Sequence, residues 1–439
     1  MPPQYTQGSI FLFWSPLAAT WVMMATEGPF LAAIIARLPD ATYNLAAYGV
    51  AFALAIVVEA PVMMLMSAAT ALVRDSTSYH KLRTFARVLA AGTTSMLLVL
   101  LIPGVYRLLT GRAMGLPPEV ADLTYGALWF FLPWPSAIAY RRFLQGVLIR
   151  SGKTRLVAYG TVIRLAAMSG AGFAGYLFFD MPGAWVGGMA LATGVVAEAV
   201  AARLMSASTV QELIAGALDS PEDPEIRYRD IASFYLPLAL TSMIALTVQP
   251  MLTFFMGRSV APVQSLAVFP VVHALGFFFR SFGLAFQDAA IALMGERFEQ
   301  LRALGRFATS LGLLTSVAIA LVAFTPLSHV YFVTISGLTP ELTSIALIPA
   351  RLIVPLPALT ALLAFQRAIL VEGRRTRHIT VASAVEVVTI ALVFAILAWR
   401  LDLVGATAAF AAFTCGRTLS NSYLIFGCRG LLAHVRAHE

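Results

Sequence analysis

Charge is what this sequence has least of. Only 12% of its 439 residues are Asp, Glu, Lys or Arg, against 59% hydrophobic residues and a mean hydropathy of +0.82. A soluble domain carries roughly 25% charged residues, so a water-solvated globular chain is excluded and a polytopic membrane protein is expected. Cysteine is scarce too. Cys415 and Cys428 fall thirteen residues apart on one expected helix, about 20 Å at the helical rise, which excludes a disulfide between them. The opening MPPQYTQGS lacks the basic region and small-residue cleavage site of a removed signal peptide. Also missing are a Gly-x-x-x-x-Gly-Lys-Ser/Thr phosphate loop, a His-Glu-x-x-His pair and a cysteine metal cluster. SGKT at 151–154 has no upstream glycine and falls in an expected cytoplasmic turn. The chain is therefore read as not an enzyme, with no catalytic residue, no metal site and no cofactor beyond a coupling H⁺ or Na⁺.

The charge that is present is unevenly placed. Of the 30 Lys and Arg, 18 sit in loops sharing one side, while Arg37, Arg107, Arg112, Arg258 and Arg400 lie in or near the opposite loops. The other seven, Arg141, Arg142, Arg164, Arg280, Arg351, Arg367 and Arg417, fall inside expected spans. This asymmetry marks the basic loops as cytoplasmic. Both termini are then cytoplasmic and the inner (plasma) membrane is the expected location. It also argues against nucleic acid as the partner of the net charge of +8. The strings RSGKTR (150–155) and EGRRTR (372–377) instead set topology and touch anionic membrane lipid. A monomer is expected.

Apolar runs long enough to cross a bilayer give twelve helices. Their limits are 10–36, 44–73, 83–110, 120–149, 156–179 and 184–206, then 231–257, 264–294, 304–332, 342–371, 378–399 and 404–427. Runs beyond 25 residues imply tilt, kinks or projecting ends. The polar, proline-bearing segment 211–230 reads as a cytoplasmic connector with a short surface helix. The expected organisation is an N-lobe (1–206, spans one to six), a linker (207–230) and a C-lobe (231–439, spans seven to twelve).

The halves repeat. Shifted by 221, FWSPLAAT (13–20) falls on FYLPLALT (234–241), Thr26 on Thr247, Pro29 on Pro250, Arg37 on Arg258 and Leu45 on Leu266. Beyond about residue 130 the shift becomes 222: Pro133 and Pro135 meet Pro355 and Pro357, Phe143 meets Phe365, Gly183-Ala184 meets Gly405-Ala406, and Gly194 meets Gly416. Six spans per half is an even number, so both halves enter the membrane in the same orientation, a parallel repeat about an axis along the membrane normal. Two such bundles leave a cleft that opens to either side by rocking.

At this point the residues resemble a family. Two six-helix lobes with a long polar linker look like the multidrug/oligosaccharidyl-lipid/polysaccharide flippase (MOP) superfamily. RRFLQGVLIRSGKTR (141–155) and its copy FQRAILVEGRRTR (365–377) resemble the turn after span four of multidrug and toxic compound extrusion (MATE) transporters. PLAATWVMMATE (16–27) followed by LAAYGVAFAL (45–54) is most similar to the progressive-ankylosis (ANK) family. The ANK resemblance implies efflux of small polyanions such as pyrophosphate, citrate or nucleotide.

An ionisable group at mid-bilayer costs at least ~2.5–3.5 kcal/mol on insertion scales, so each buried one needs a partner, a water-filled cavity or a job. The acids within spans are Glu27, Glu59, Glu198, Asp288 and Glu386. Under the repeat, Glu59 falls on Arg280 and Arg164 on Glu386. Opposite charges at equivalent positions suit pairing across a central cleft, or pairing within each lobe to hold helices together. Glu27 precedes Gly28 and Pro29. A proline lacks an N–H and kinks the helix, and irregular backbone at this depth has to be satisfied by protein or a water cavity. The copy has Val248 and Gln249 there, so the kink recurs without the acid, which favours ion or proton binding by Glu27. Asp288 and Arg351 either line the cleft or bridge helices. Arg141 or Arg142 is expected to snorkel to the headgroups, and His273 to hydrogen-bond between helices rather than relay protons.

The substrate- and ion-binding candidates are thus Glu27, Glu59, Arg164, Arg280, Asp288, Glu386 and Arg351. Seven arginines against five acids favour a secondary transporter exporting small organic or phosphate-containing anions, since the guanidinium fork suits carboxylate and phosphate. The alternatives are a MATE-type cation or drug antiporter, with Glu27 as the exchanging acid and Phe254, Phe255, Phe277, Phe278 and Phe279 as linings, or a lipid-linked precursor flippase. A channel or membrane scaffold is a further class, and neither needs a two-fold duplication around unequal buried charges.

Overall fold

The computed structural model describes residues 5–215, 226–295, 298–373, 375 and 377–437, apart from the side chains of Thr154, Thr241, Ala245 and 432–437. Among these residues the chain is all helix, with one isolated β-bridge between Val260 and Val404. In lipid every backbone N–H and C=O has to be satisfied internally, and helices do this within one segment. The first half holds α1 (Gln7–Ala25), α2 (Glu27–Ile35), α3 (Ala41–Glu59), α4 (Leu65–Leu72), α5 (Ser76–Leu100), α6 (Pro103–Arg107), α7 (Pro118–Phe130), α8 (Trp134–Arg150), α9 (Thr154–Phe178) and α10 (Gly183–Met205). The connector carries α11 (Ala207–Ile214), the expected short helix, while 216–225 lie outside the described residues. The second half holds α12 (Tyr228–Leu246), α13 (Val248–Met256), α14 (Pro262–Leu293), α15 (Leu301–Phe324), α16 (Leu327–His329), α17 (Pro340–Leu352), α18 (Leu356–Glu372), α19 (Arg377–Trp399) and α20 (Gly405–Ala437).

Together these form twelve membrane spans. Among the described residues, nine stretches are long and apolar enough to cross a membrane, and α5 with 103–113, bent by 69°, makes a tenth. The remaining two, α7–α8 and α20, carry the charges that dilute their apolarity: Arg141, Arg142 and Arg150 in one, Arg417 and Arg429 in the other.

The duplication is written into the backbone. Span one breaks at Thr26 and span seven at Thr247, each three residues before a proline. Asp40 and Ala261 both adopt a left-handed conformation, φ 52° and 51°. A π-helical turn at Leu108–Ala113 recurs at Val330–Ile335, and Gly115 recurs as Gly337 with φ 68° and 72°. The α8 limits map onto α18 under the 222 shift. The 222 register already holds at Thr94–Ser136, whose copy is Ser316–Ala358. The inserted residue therefore lies before position 316, not near the copy of residue 130.

The compact units of the structure divide the chain differently from the sequence halves 1–206 and 231–439. One compact unit comprises 1–37 with 255–439; the other is 38–254. Each has six spans, but each takes its first span from the opposite half of the sequence. In the first unit, Trp14 donates its indole N–H to the Phe282 carbonyl at 3.2 Å and stacks edge-on against Phe307. In the second unit, Tyr235 donates its hydroxyl to the Pro61 carbonyl and packs on Phe85 at 5.2 Å. Under the 221 shift Trp14 falls on Tyr235 and Pro61 on Phe282. The exchange is thus reciprocal, made by the same contact in both units. In the second unit it has a further cause. Pro61 breaks span two into α3, a 3₁₀ turn (Ala60–Val62) and α4. The Ala60 carbonyl at the break accepts the Ser242 hydroxyl at 3.1 Å beside the Met63 N–H at 3.4 Å, so α12 is tied directly to the break.

Candidate functional site

In the unit formed by 38–254, five charged side chains gather around α8. Glu59 ends α3 at the Pro61 break, is 7% exposed, and accepts the indole N–H of Trp134. It lies within electrostatic reach of Arg142, Arg141 and Arg164. Arg141 is buried and ion-paired to Glu198, whose other oxygen accepts Gln145 Nε2 at 2.9 Å. Arg164 on α9 stands 3.9 Å from the same carboxylate. Arg141 therefore does not snorkel. Arg142 is half-buried, with Met66 Sδ at 3.8 Å and Met63 Sδ at 4.0 Å from its terminal nitrogens.

In the unit formed by 1–37 and 255–439 the equivalent helices carry the opposite polarity. Glu386 on α19 accepts Arg417 Nε at 2.9 Å and stands 2.7 Å from its Nη2. Arg280 on α14 donates through Nε to Thr360 Oγ1 at 3.1 Å and lies 4.8 Å from the Phe413 ring centroid. Arg417 lies 5.7 Å from the same ring. Phe413 thus shares its π-face between two guanidinium groups, a contact worth ~0.5–2 kcal/mol each.

The two glycines that align across the repeat place these charges. A Cβ on Gly194 would stand 3.0 Å from the Arg164 carbonyl, and one on Gly416 2.9 Å from the Glu386 carbonyl. Each last helix pair, α9–α10 and α19–α20, is in close backbone contact where its charged residue sits. Arg164 and Glu386, opposite at equivalent positions, are each met by a residue on the adjoining helix of their own unit. Glu59 and Arg280 likewise both reach the opening turns of α8 and α18, the second helix of the fourth span, at Trp134 and Thr360, positions on one helix face.

The other candidates fall differently. Glu27 is 7% exposed and opens α2, so its carboxylate stands at the positive end of that half-helix. A Cβ on Gly28 would come within 3.1 Å of Ala274 Cβ, so α14 is packed directly against the break. Asp288 is exposed and bonded to Trp21. Arg351 is exposed, its guanidinium 5.5 Å from the Phe324 ring centroid. His273 stacks between Phe269 and Phe277 of its own helix rather than bonding between helices. Phe254 lines an apolar cavity of about 450 Å³ in the second unit with Leu54, Val57, Met96 and Met251. Lys153 of SGKT bonds Thr209 at 2.8 Å and lies 3.3 Å from Glu212 on the connector helix α11, a docking role rather than a phosphate contact. Among the described residues no group of three or more His, Cys, Asp or Glu could hold a metal ion.

No protein-family model and no curated protein matches this sequence. Solved structures do. An inward-facing multidrug-resistance MATE family transporter of the MOP superfamily matches at TM-score 0.66 and 15% identity, over 95% of both chains. The lipid II flippase MurJ, in an inward closed conformation, matches at TM-score 0.68 and 13% identity, over 95% of this chain and 87% of that one. A MOP superfamily transporter from Pyrococcus furiosus, whose reversed binding-pocket polarity suggests a different function, matches at TM-score 0.64 and 13% identity, over 99% and 97%. The fold is that of the MOP superfamily transporters. The likeness is one of architecture, and the charges above belong to this chain.

Proposed function

We propose that this protein is a secondary active transporter that exports small organic or phosphate-containing anions by alternating access, from the inner membrane with both termini cytoplasmic. One observation carries the reading: both buried clusters hold more guanidinium than carboxylate. Arg141, Arg142 and Arg164 stand against Glu59 and Glu198; Arg280, Arg367 and Arg417 stand against Glu386. Burying a guanidinium in a membrane costs several kcal/mol, so a surplus in each unit favours an anionic substrate over a cationic one. The reversed binding-pocket polarity that suggests a different function for the Pyrococcus furiosus transporter is a precedent for a change of function with pocket charge on this architecture. The resemblance of Pro16–Leu54 to the ANK family points to the same substrate class. The test is uptake of citrate and pyrophosphate into vesicles containing the purified protein. Saturable flux, reduced at least tenfold in Arg280→Gln, supports the proposal; intact protein with no saturable flux of either anion refutes it.

A second reading rests on Glu27 at its helix break and on the apolar cavity beside Phe254. A carboxylate there suits exchange of H⁺ or Na⁺ against a hydrophobic cation, as in a MATE-type antiporter. Resistance to cationic dyes on expression, lost in Glu27→Gln, would place this reading above the first.

A further inference from the structure

The two clusters separate into arginines that are matched and arginines that are not. Arg141 and Arg164 are met by Glu198, and Arg417 by Glu386. Arg142, Arg280 and Arg367 have no carboxylate within ion-pair distance among the described residues; Arg280 is held by the Thr360 hydroxyl and the Phe413 ring. Arg142 has only the two methionine sulfurs, which are weak acceptors, and Arg367 reaches Gln287 Oε1 at 3.5 Å, the outer limit of a hydrogen bond. In both, as in Arg141, Nε is sealed from solvent with no acceptor, so it is the terminal nitrogens that set Arg142 and Arg367 apart. Two independent copies of the fold share this feature. Arg142 lies on α8 and Arg367 on α18, and these helices are equivalent. Under the 222 shift Arg367 aligns with Gln145, three residues from Arg142, so both project from one helix face.

From this we infer that Arg142 and Arg367 each form an anion subsite, one in each unit, that takes a carboxylate or phosphate group of the transported substrate. The inference rests on the anion-export reading above. A guanidinium held mainly by thioethers or one distant amide is undercompensated at membrane depth. Water would satisfy its N–H groups but not the surplus positive charge of its cluster; an anion supplies both, and the planar fork favours two-oxygen groups. Arg141, Arg164 and Arg417, already held by carboxylates, position the helices instead.

The experiment titrates inorganic pyrophosphate, and citrate in parallel, into the purified full-length protein by calorimetry, with vesicle flux measured on the same preparations. The expected result is two equivalents bound by the parent, one by Arg142→Gln, one by Arg367→Gln and none by the double variant. Arg107→Gln, an exposed basic residue outside both clusters, should bind as the parent does. Should Arg142→Gln fail to fold, Arg142→Lys keeps the charge and loses the fork, and is expected to weaken one site by about tenfold. Fewer than two equivalents in the parent, or two retained in either single variant, overturns the inference. Saturable flux alongside that result leaves the export reading standing, whereas absent flux removes both. Binding abolished when phosphatidylglycerol is added assigns the subsites to lipid headgroups and overturns them as substrate sites.

Discussion

The Glu386–Arg417 pair allows a sharp test of the reversed polarity between repeats. Glu386 is 6% exposed and receives two nitrogens of Arg417, at 2.9 and 2.7 Å, on one oxygen. Arg417→Met leaves that carboxylate uncompensated, which costs about 3–5 kcal/mol for a buried pair broken from one side. Glu386→Leu costs a similar amount, because Arg417 would keep only the Phe413 ring, which Arg280 already occupies from 4.8 Å. The charge swap Glu386→Arg with Arg417→Glu should behave otherwise. It reproduces the polarity that Arg164 and Glu198 already have at the equivalent helix pair. The swap gives up one cation–π contact, ~0.5–2 kcal/mol, and so should recover at least half of the single-variant loss. The assay is resistance to thermal unfolding in detergent, read as the folded fraction after heating. Single variants within 1 kcal/mol of the parent, or a swap no better than the worse single variant, would refute the view that these charges act as self-contained helix clasps.

Other predictions are simpler. Gly146→Ala should destabilise by at least ~1–3 kcal/mol, because its Cβ would stand 2.4 Å from the Met66 carbonyl and 2.5 Å from Ala69 Cβ; an unchanged melting profile would contradict the α4–α8 packing. Tyr235→Phe and Trp14→Phe should lose comparable amounts, about 1–3 kcal/mol each, as both uncap the same carbonyl position of span two or its copy; a loss confined to one of them would break the reciprocal exchange. Arg351→Gln should leave stability within about 0.5 kcal/mol, since that residue is exposed on the Phe324 ring, and a large loss on heating would refute this. Glu27→Gln should change the ion dependence of flux more than its maximal rate; an identical dependence on pH and Na⁺ removes Glu27 from coupling.

Much of the fold was legible because two periodic signals were strong. Apolar runs marked the spans, and aligned prolines such as Pro29 and Pro250 marked the breaks, since the missing N–H acts locally and whatever the tertiary setting. The assignment of spans to units was not legible. It depends on a hydroxyl or indole of span one or seven reaching a carbonyl in the other half of the sequence, and neither Trp14 nor Tyr235 advertises that target. The candidate site was partly legible. Equivalent positions of opposite charge identified Glu59, Arg280, Arg164 and Glu386, all of them buried. Their companions Glu198 and Arg417 stood among the charges within spans but without a role, because each lies one turn from the equivalent position in the other repeat and no exact alignment pairs them. Trp134 escaped for a different reason: an indole reads as packing until the carboxylate it serves is seen. Asp288 and Arg351 were found by depth along a span, which says nothing about the face on which a side chain emerges.

The one-turn offset has a consequence for where function resides. Reversing Arg164 to its counterpart Glu386 within a buried pair would cost about 3–5 kcal/mol if nothing else changed. In each repeat the compensating charge stands on the same face of the adjoining helix, at Glu198 in one and three residues short of the equivalent position, at Arg417, in the other. A pair that can be inverted and shifted by a turn while still closing its helices is constrained only to be neutral. It carries no demand for one sign over the other, and so cannot be what makes both clusters basic. That bias comes from the arginines left over, Arg142 on one side and Arg280 and Arg367 on the other. Helix pairing does not need them, and the membrane penalises them. A recurring charge that the architecture does not require is best explained by something the protein binds.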